Sequence, residues 1–203
     1  MTPEQKKAAE EKILETLMQV GLRIAKRGEG ALFVVGEVEY KPLVDQQVPP
    51  FKVSNNPKLL ESLAIMDGAV IIDHEGVMQA YGVMIKSRRV FKNFGTRHSA
   101  AISASKKGNT VVIISEEDKK VRILKEGKMI MQLDALQKNV EKSVPFAANL
   151  LESLGAGTIG VLGTSILAPA AGIAGIALVP GVLVFGSAYY LFKSFGKWMK
   201  NGK

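Results

Sequence analysis

From Ser153 to Phe192 the chain runs forty positions without one charged side chain, whereas from Met1 to about Lys142 charges are dense and mixed. No single compact fold accommodates both halves in the same way, so the composition divides the chain into a domain over 1–142 and an apolar appendage over 143–203. Forty uncharged residues exceed the roughly twenty that cross one bilayer. Pro169, set among alanines and glycines near the middle, predicts a helical hairpin whose second arm covers about Gly172 to Phe192. Ala156, Gly160, Thr164 and Ala168 recur every fourth residue, a smooth face for close helix packing. Tyr189, Tyr190 and Trp198, with Lys193, Lys197, Lys200 and Lys203, resemble an interfacial aromatic belt and its basic flank. Lys138 and Lys142 flank the other end, which places both ends on one, cytosolic, side. A hairpin buried inside a soluble oligomer is the competing reading; glycine and proline weaken water-soluble helices and favour insertion.

The 203 residues leave room for one domain with a proper core. The absence of cysteine removes disulfides, thiolate metal sites and thiol nucleophiles. A net charge of +8 suits nucleic acid, acidic headgroups or a polyphosphate. The basic residues are scattered and no aromatic stripe interleaves with them, which argues against nucleic acid. The polar start Thr2-Pro3-Glu4-Gln5-Lys6-Lys7 does not read as a secretory signal, so the folded portion is expected in the cytosol.

Helices and strands alternate, predicting an α/β fold with a mixed β-sheet flanked by helices, followed by the apolar C-terminal hairpin. Thr2 as N-cap, Pro3, Gln5 and a stop at Gly28 frame a first helix with an apolar stripe of Ile13, Leu17, Val20 and Ile24. Ala31 to Gly36 reads as a buried strand, and Glu37 to Asn56, with its prolines, as a loop. Asn56-Pro57 starts a second helix. Ala69 to Ile72 and Val77 to Ile85 form a hairpin across Asp73-His74-Glu75-Gly76. A third helix begins near Arg97 and stops at Gly108. Thr110 to Ser115 is a strand, Val121 to Leu124 and Met129 to Leu133 a second hairpin, and Ala135 to Lys142 a charged linking helix.

Three short runs carry chemistry. Asp67-Gly68-Ala69 puts a carboxylate and bare backbone at the mouth of an apolar strand, where a flat ligand can approach. Gly95-Thr96-Arg97-His98-Ser99 opens a helix: Thr96 as N-cap, free N–H groups, the helix dipole and Arg97 all favour an anion. Ser115-Glu116-Glu117 places a hydroxyl and two carboxylates at the carboxyl end of a strand, where α/β sheets bind ligands. Taken alone, Asp67 is more often a solvated turn residue than a metal ligand, and Arg97-His98 more often an exposed helix start than a phosphate site. Together, carboxylates Asp67, Glu116 and Glu117 that could hold a divalent cation, beside an Arg/His phosphate clamp, fit nucleotidyl transfer better than hydrolysis. His74, between Asp73 and Glu75, reads as a solvated turn residue.

The segments Leu63 to Ile72, Gly95-Thr96-Arg97-His98 with Ala100 and Ala101, and Ile113-Ile114-Ser115-Glu116 resemble the diadenylate cyclase domain of the bacterial DNA-integrity-scanning protein and of archaeal cyclases. The entry segment Ile24 to Gly36 is similar to the archaeal branch, and the resemblance covers about 10–135. It implies condensation of two ATP into cyclic di-AMP and two pyrophosphates at a face-to-face homodimer or higher homo-oligomer, with manganese, magnesium or cobalt. By position, Asp67 would bind the metal and help activate the ribose 3′-hydroxyl, and Gly68 and Ala69 would contact the nucleoside. Gly95, Thr96, Arg97, His98, Ser99 and Ser115 would lie along the phosphates, and Glu116 or Glu117 would ligate metal. Ser99 stands where many bacterial members carry a second arginine, which removes a charge from the clamp. The resemblance and the apolar run together imply a membrane-tethered enzyme at the cell membrane; the alternative is a non-catalytic adenine-nucleotide sensor of the same fold.

Overall fold

A computed structural model describes residues 2–45, 48–86, 96–155, 176–179 and 181–184. The first helix, α1 (Pro3–Arg27), begins as the sequence predicts: Thr2 accepts from the Gln5 N–H while its own N–H donates to the Gln5 side chain. Gly28 ends it in the left-handed region at φ 77°, a conformation glycine adopts without Cβ cost. The predicted stripe Ile13, Leu17, Val20 and Ile24 is buried.

The strands are β1 (Ala31–Val35), β2 (Tyr40–Pro42), β3 (Phe51–Lys52), β4 (Ala69–Ile72), β5 (Val77–Ile85), β6 (Thr110–Ser115), β7 (Lys120–Lys125), β8 (Lys128–Asp134), β9 (Ile176–Val179) and β10 (Val182–Val184). The remaining helices are α2 (Pro57–Ala64), α3 (Thr96–Ser105) and α4 (Val144–Gly155). One sheet runs β2-β5-β4-β1-β6-β7-β8-β10-β9, with β3 also on β5. It is mixed: β1 is parallel to β4 and antiparallel to β6. Its two faces bury separate cores. Ala31, Phe33 and Val35 join α1, α2 and α4 on one face. Leu32 and Val34, with Ala69, Ile71, Ile113 and Leu124, meet Ala101 and Ala104 of α3 on the other. Strand alternation therefore assigns the even-numbered residues of β1 to the α3 side.

Four expectations are corrected. The loop over 37–56 contains β2 and β3, short pieces that pair with β5; β5 is nine residues long and offers its edge to both. The linking helix over 135–142 is instead turns followed by a 3-10 turn, Val140–Ser143, after Asn139 at φ 62°; a left-handed residue breaks the helical path. Packed structure continues past Lys142, since Val144, Ala147, Ala148 and Leu151 of α4 are buried in the α1 core. Within the expected second membrane arm, 176–179 and 182–184 are strands: β10 pairs antiparallel with β8, Val182 opposite Leu133, and Val182 is buried. The outer edge of β8 carries backbone groups that need partners, and an uncharged run of Val, Ile and Leu does not by itself distinguish strand from helix. Among the described residues no helix is long and apolar enough to cross a membrane. The rest of the uncharged run, including Ala156, Gly160, Thr164 and Ala168, lies outside them.

Candidate nucleotide site

The three runs meet because of strand register. Phe33 lies opposite Val70 and Ala31 opposite Ile114, so three residues back along the parallel pair Gly30 faces Asp67, and one residue on along the antiparallel pair it faces Ser115. Asp67, Gly30 and Ser115 thus form a row across three neighbouring strands at one end of the sheet, spanning about 10 Å at the usual strand spacing. The α3 helix starts over the same end. Arg97 extends from its first turn onto Gly30: a Cβ on Gly30 would collide with the Arg97 guanidinium.

Each position has a local cause. Gly68 sits at φ +103°, and a Cβ there would stand 2.6 Å from the Val83 nitrogen and 2.8 Å from its oxygen; only glycine lets the chain turn into β4 against β5. The Gly68 N–H then donates to Asp67 Oδ1 at 3.0 Å, which orients an exposed carboxylate. Arg97 forms a 3.7 Å ion pair with Glu116. Both side chains are substantially exposed, so this pair contributes about 0.2–1 kcal/mol, less than the 1.5–3 kcal/mol of a hydrogen bond to a charged group. An incoming phosphate would displace Glu116.

Ser115 is buried at the end of β6 and shares the α3 face with Ile113. Arg122 lies opposite Ile113, and Lys120 opposite Ser115, so both also project to that face. Arg122 donates to Asp118 Oδ2 and, through Nε, to Gln132 Oε1 at 3.1 Å. Partial burial pushes the Asp118 carboxyl up, but the Ser115 hydroxyl, Arg122 and Lys120 together hold it below its usual range. His98, half-buried, is pushed down, first by burial and then by the Arg122 charge, against the pull of Asp118 and Glu117. At neutral pH its imidazole is uncharged and offers one N–H donor.

Not every predicted residue is placed as expected. Thr96 lies at the start of α3 as it is described, and Gly95 lies outside the described residues. Ser99 is 3 % exposed, turned into the packing instead of toward solvent. Ala69 is buried, leaving only its backbone for a ligand. Glu116 and Glu117 are exposed. Among the described residues no three of His, Cys, Asp and Glu are grouped as a metal site, so Asp67, Glu116 and Glu117 do not form a ready-made cage. Asp67 alone fits a cation of the magnesium type, which takes one or two carboxylates and completes its shell with phosphate oxygens and water. A cleft of about 560 Å³ lined by Glu37, His74, Lys107 and Asn109 opens at the opposite end of β1 and β6 and includes none of these residues.

Gly30, Asp118 and Arg122 were not anticipated. Gly30 could have been suspected from its place just before a buried strand. Nothing in the spacing marks Asp118 and Arg122, because their pairing depends on the turn between β6 and β7.

Residues 21–129, more than half the chain, match the family model described as DisA bacterial checkpoint controller nucleotide-binding. A diadenylate cyclase of Methanocaldococcus jannaschii is 31% identical over 149 residues, covering 64% of this chain and 47% of that protein. A diadenylate cyclase of Haloferax volcanii is 29% identical over 144 residues, covering 60% and 52%. The chain thus spans about half the length of these relatives. A crystal structure of a DacA double mutant from Staphylococcus aureus aligns with a TM-score of 0.46 at 24% identity, over 73% of this chain and 95% of that one.

Proposed function

This chain belongs to the DisA bacterial checkpoint controller nucleotide-binding family, and on that premise we propose that it is a diadenylate cyclase, joining two ATP into cyclic di-AMP with release of two pyrophosphates. The observation that carries this reading is Arg97 lying over the side-chain-free Gly30, in the row between Asp67 and Ser115. A triphosphate laid along that row meets a guanidinium, the first turn of α3, the neutral His98 and the Ser115 hydroxyl. Gly68 and Gly30 keep backbone bare where the nucleoside and α-phosphate must come close. Asp67, at the far end of the row, is placed for the ribose: it would accept a hydrogen bond from the 3′-hydroxyl and draw its proton as the oxygen attacks.

In each of two steps the 3′-oxygen of one ATP bonds to the α-phosphorus of the other, and the bond from that phosphorus to the bridging oxygen of pyrophosphate breaks in line. Little covalent work falls to the protein; positioning and charge neutralisation supply the acceleration. One row holds one ATP, so the cyclic product needs two rows facing each other, as in a homodimer or larger homo-oligomer. A divalent cation, manganese, magnesium or cobalt, held by Asp67 and the phosphates would neutralise triphosphate charge. From the uncharged C-terminal run and the basic residues that flank it, we place the enzyme at the membrane, on the cytoplasmic side; full-length protein found wholly in the soluble fraction would overturn that placement.

The deciding experiment is mass spectrometry of products after incubating the full chain with ATP and manganese, beside Asp67→Asn and Arg97→Ala. Cyclic di-AMP from the wild type, lost in Asp67→Asn while ATP still binds, supports the cyclase. ATP binding without product in the wild type would make the chain a nucleotide sensor.

A further inference from the structure

At the end of the sheet away from the nucleotide row, the turn of the β7–β8 hairpin meets the end of α3. Residues 105–108 and 125–128 hold four lysines, Lys106, Lys107, Lys125 and Lys128, and one acid, Glu126. Lys106 and Lys128 are exposed and Lys125 partly so. Lys125 stands directly opposite Lys128 across the hairpin, a like-charge pairing that costs stability. Lys106 is laid over the turn: a Cβ on Gly127 would stand 2.7 Å from its Cγ and 2.9 Å from its Cε. The Gly127 N–H donates to Ser105 Oγ at 3.2 Å, which ties the tip to the helix end. The α3 dipole accounts for lysines at its carboxyl end, but not for Lys125 facing Lys128. Lys107 borders the cleft that also holds Glu37 and Glu39, so Lys106, Lys125 and Lys128 make up the positive tip.

Strand direction relates this tip to the uncharged run. The β8 strand starts at Lys128, and β10 runs antiparallel to it, Val182 opposite Leu133 and Val184 opposite Met131. The chain therefore leaves β10 heading toward the level of Lys128, and Ile176, opposite Val184, enters β9 from the same direction. In sequence the residues beyond these two points, 156–175 and 185–192, carry no charge. We propose that Lys106, Lys125 and Lys128 form the surface with which the domain lies on a bilayer of anionic headgroups, a reading that rests on the membrane placement above. Their ammonium groups meet lipid phosphates on the side where the uncharged run joins the sheet. A nucleic acid presents phosphates too, but gives uncharged residues no apolar phase to enter. Val111 lies opposite Leu124, so Thr110 is level with Lys125, and Ser115 is five residues farther along β6, about 17 Å away at the usual rise. That exceeds the Debye length of about 8 Å at physiological ionic strength. The nucleotide row thus faces away from the bilayer, beyond the reach of headgroup charge, and stays open to ATP.

The test uses the full chain, as wild type and as the triple variant Lys106→Gln, Lys125→Gln, Lys128→Gln, with vesicles of phosphatidylcholine alone or mixed with an equal amount of phosphatidylglycerol. Co-sedimentation gives the partition coefficient, and acylation of accessible amines followed by mass spectrometry shows which lysines the bound protein hides. Wild type should bind the mixed vesicles about a hundredfold more tightly than the neutral ones, at about fivefold per lysine, and the triple variant should lose that preference. In the bound wild type Lys106, Lys125 and Lys128 should be protected from acylation, while Lys119 and Lys120, near the nucleotide row, stay reactive. Without vesicles the variant should melt and form cyclic di-AMP as the wild type does. If the triple variant does not fold, Lys128→Gln alone should lower the preference about fivefold. Equal binding of the wild type to both vesicles, with the tip lysines still acylated, would overturn the surface and leave the membrane placement standing. Binding to the mixed vesicles only, lost in the variant, would uphold the surface and overturn attachment through the uncharged run. Binding to neither would overturn both. Loss of duplex DNA binding in the variant, with vesicle binding unchanged, would overturn the proposal in favour of a nucleic-acid surface.

Discussion

Replacing Gly30 by alanine separates binding from folding more sharply than any other change in the site. Gly30 has an ordinary backbone angle, and its added Cβ would meet two things: the guanidinium of Arg97, the far end of a flexible side chain, and the Ile114 carbonyl oxygen at 3.3 Å, a tight approach that yields with a shift of a few tenths of an ångström. Loss of glycine freedom in the unfolded chain stabilises by about 0.4–1 kcal/mol, which offsets that small strain. The fold should therefore change by less than about 1 kcal/mol, a melting shift of about 2–4 °C at most for a chain of this size. Arg97, however, must leave its place above the sheet. A hydrogen bond from a cation to phosphate is worth about 1.5–3 kcal/mol, and each 1.4 kcal/mol is tenfold in affinity, so ATP should bind about tenfold to a hundredfold more weakly. Isothermal titration with ATP, beside a thermal melt, gives both quantities. Unchanged ATP affinity in a protein that melts normally would refute the placement of Arg97 as a phosphate ligand; a protein that no longer folds would refute the packing argument.

Gly68→Ala should behave in the opposite way, because its φ of +103° and the 2.6 Å and 2.8 Å approaches to Val83 backbone leave nothing flexible to move; strained backbone costs about 1–3 kcal/mol before the displacement of β5, and urea titration should show a loss of about 3 kcal/mol or more. Glu61 is held below its ordinary value: burial pushes it up, and hydrogen bonds from Arg23 and Arg27 pull it down further. Its stabilising effect is present above the ordinary glutamate value of 4.5 and lost as pH falls through the depressed folded value, so Glu61→Gln should flatten the acid limb of the stability curve measured by denaturation between about pH 5 and 2. A fragment ending at Lys142 should be far less stable than one ending at Gly155, since burial of Val144 and Leu151 against α1 contributes about 3–6 kcal/mol out of a typical 5–15 kcal/mol; circular dichroism melts of the two fragments test it.

Where local chemistry decides, the chain could be read directly. The cap of α1 needs only Thr2, Pro3, Gln5 and Gly28, all within reach of the helix they delimit. The turn at Glu126-Gly127 joins two alternating strands, and both residues take positive φ, as a tight hairpin requires. Asp67, Arg97 and Ser115 were legible as chemistry because each stands at the end of an element where a ligand can approach.

Sequence alone therefore determined the helices with strong caps, the buried strands, the uncharged C-terminal run and the three chemical runs, because those depend on residues near one another in the chain. Tertiary structure decided the rest. Whether Asp67, Gly30 and Ser115 align depends on the register of β1 with β4 and β6, a choice made by two cores packing at once. Whether Ser99 faces ligand or packing depends on the rotation of α3 over the sheet. Whether 182–184 extends the sheet or continues an apolar helix depends on the open edge of β8, since an uncharged apolar segment takes the partner that satisfies its backbone, and that partner lies some fifty residues away in sequence.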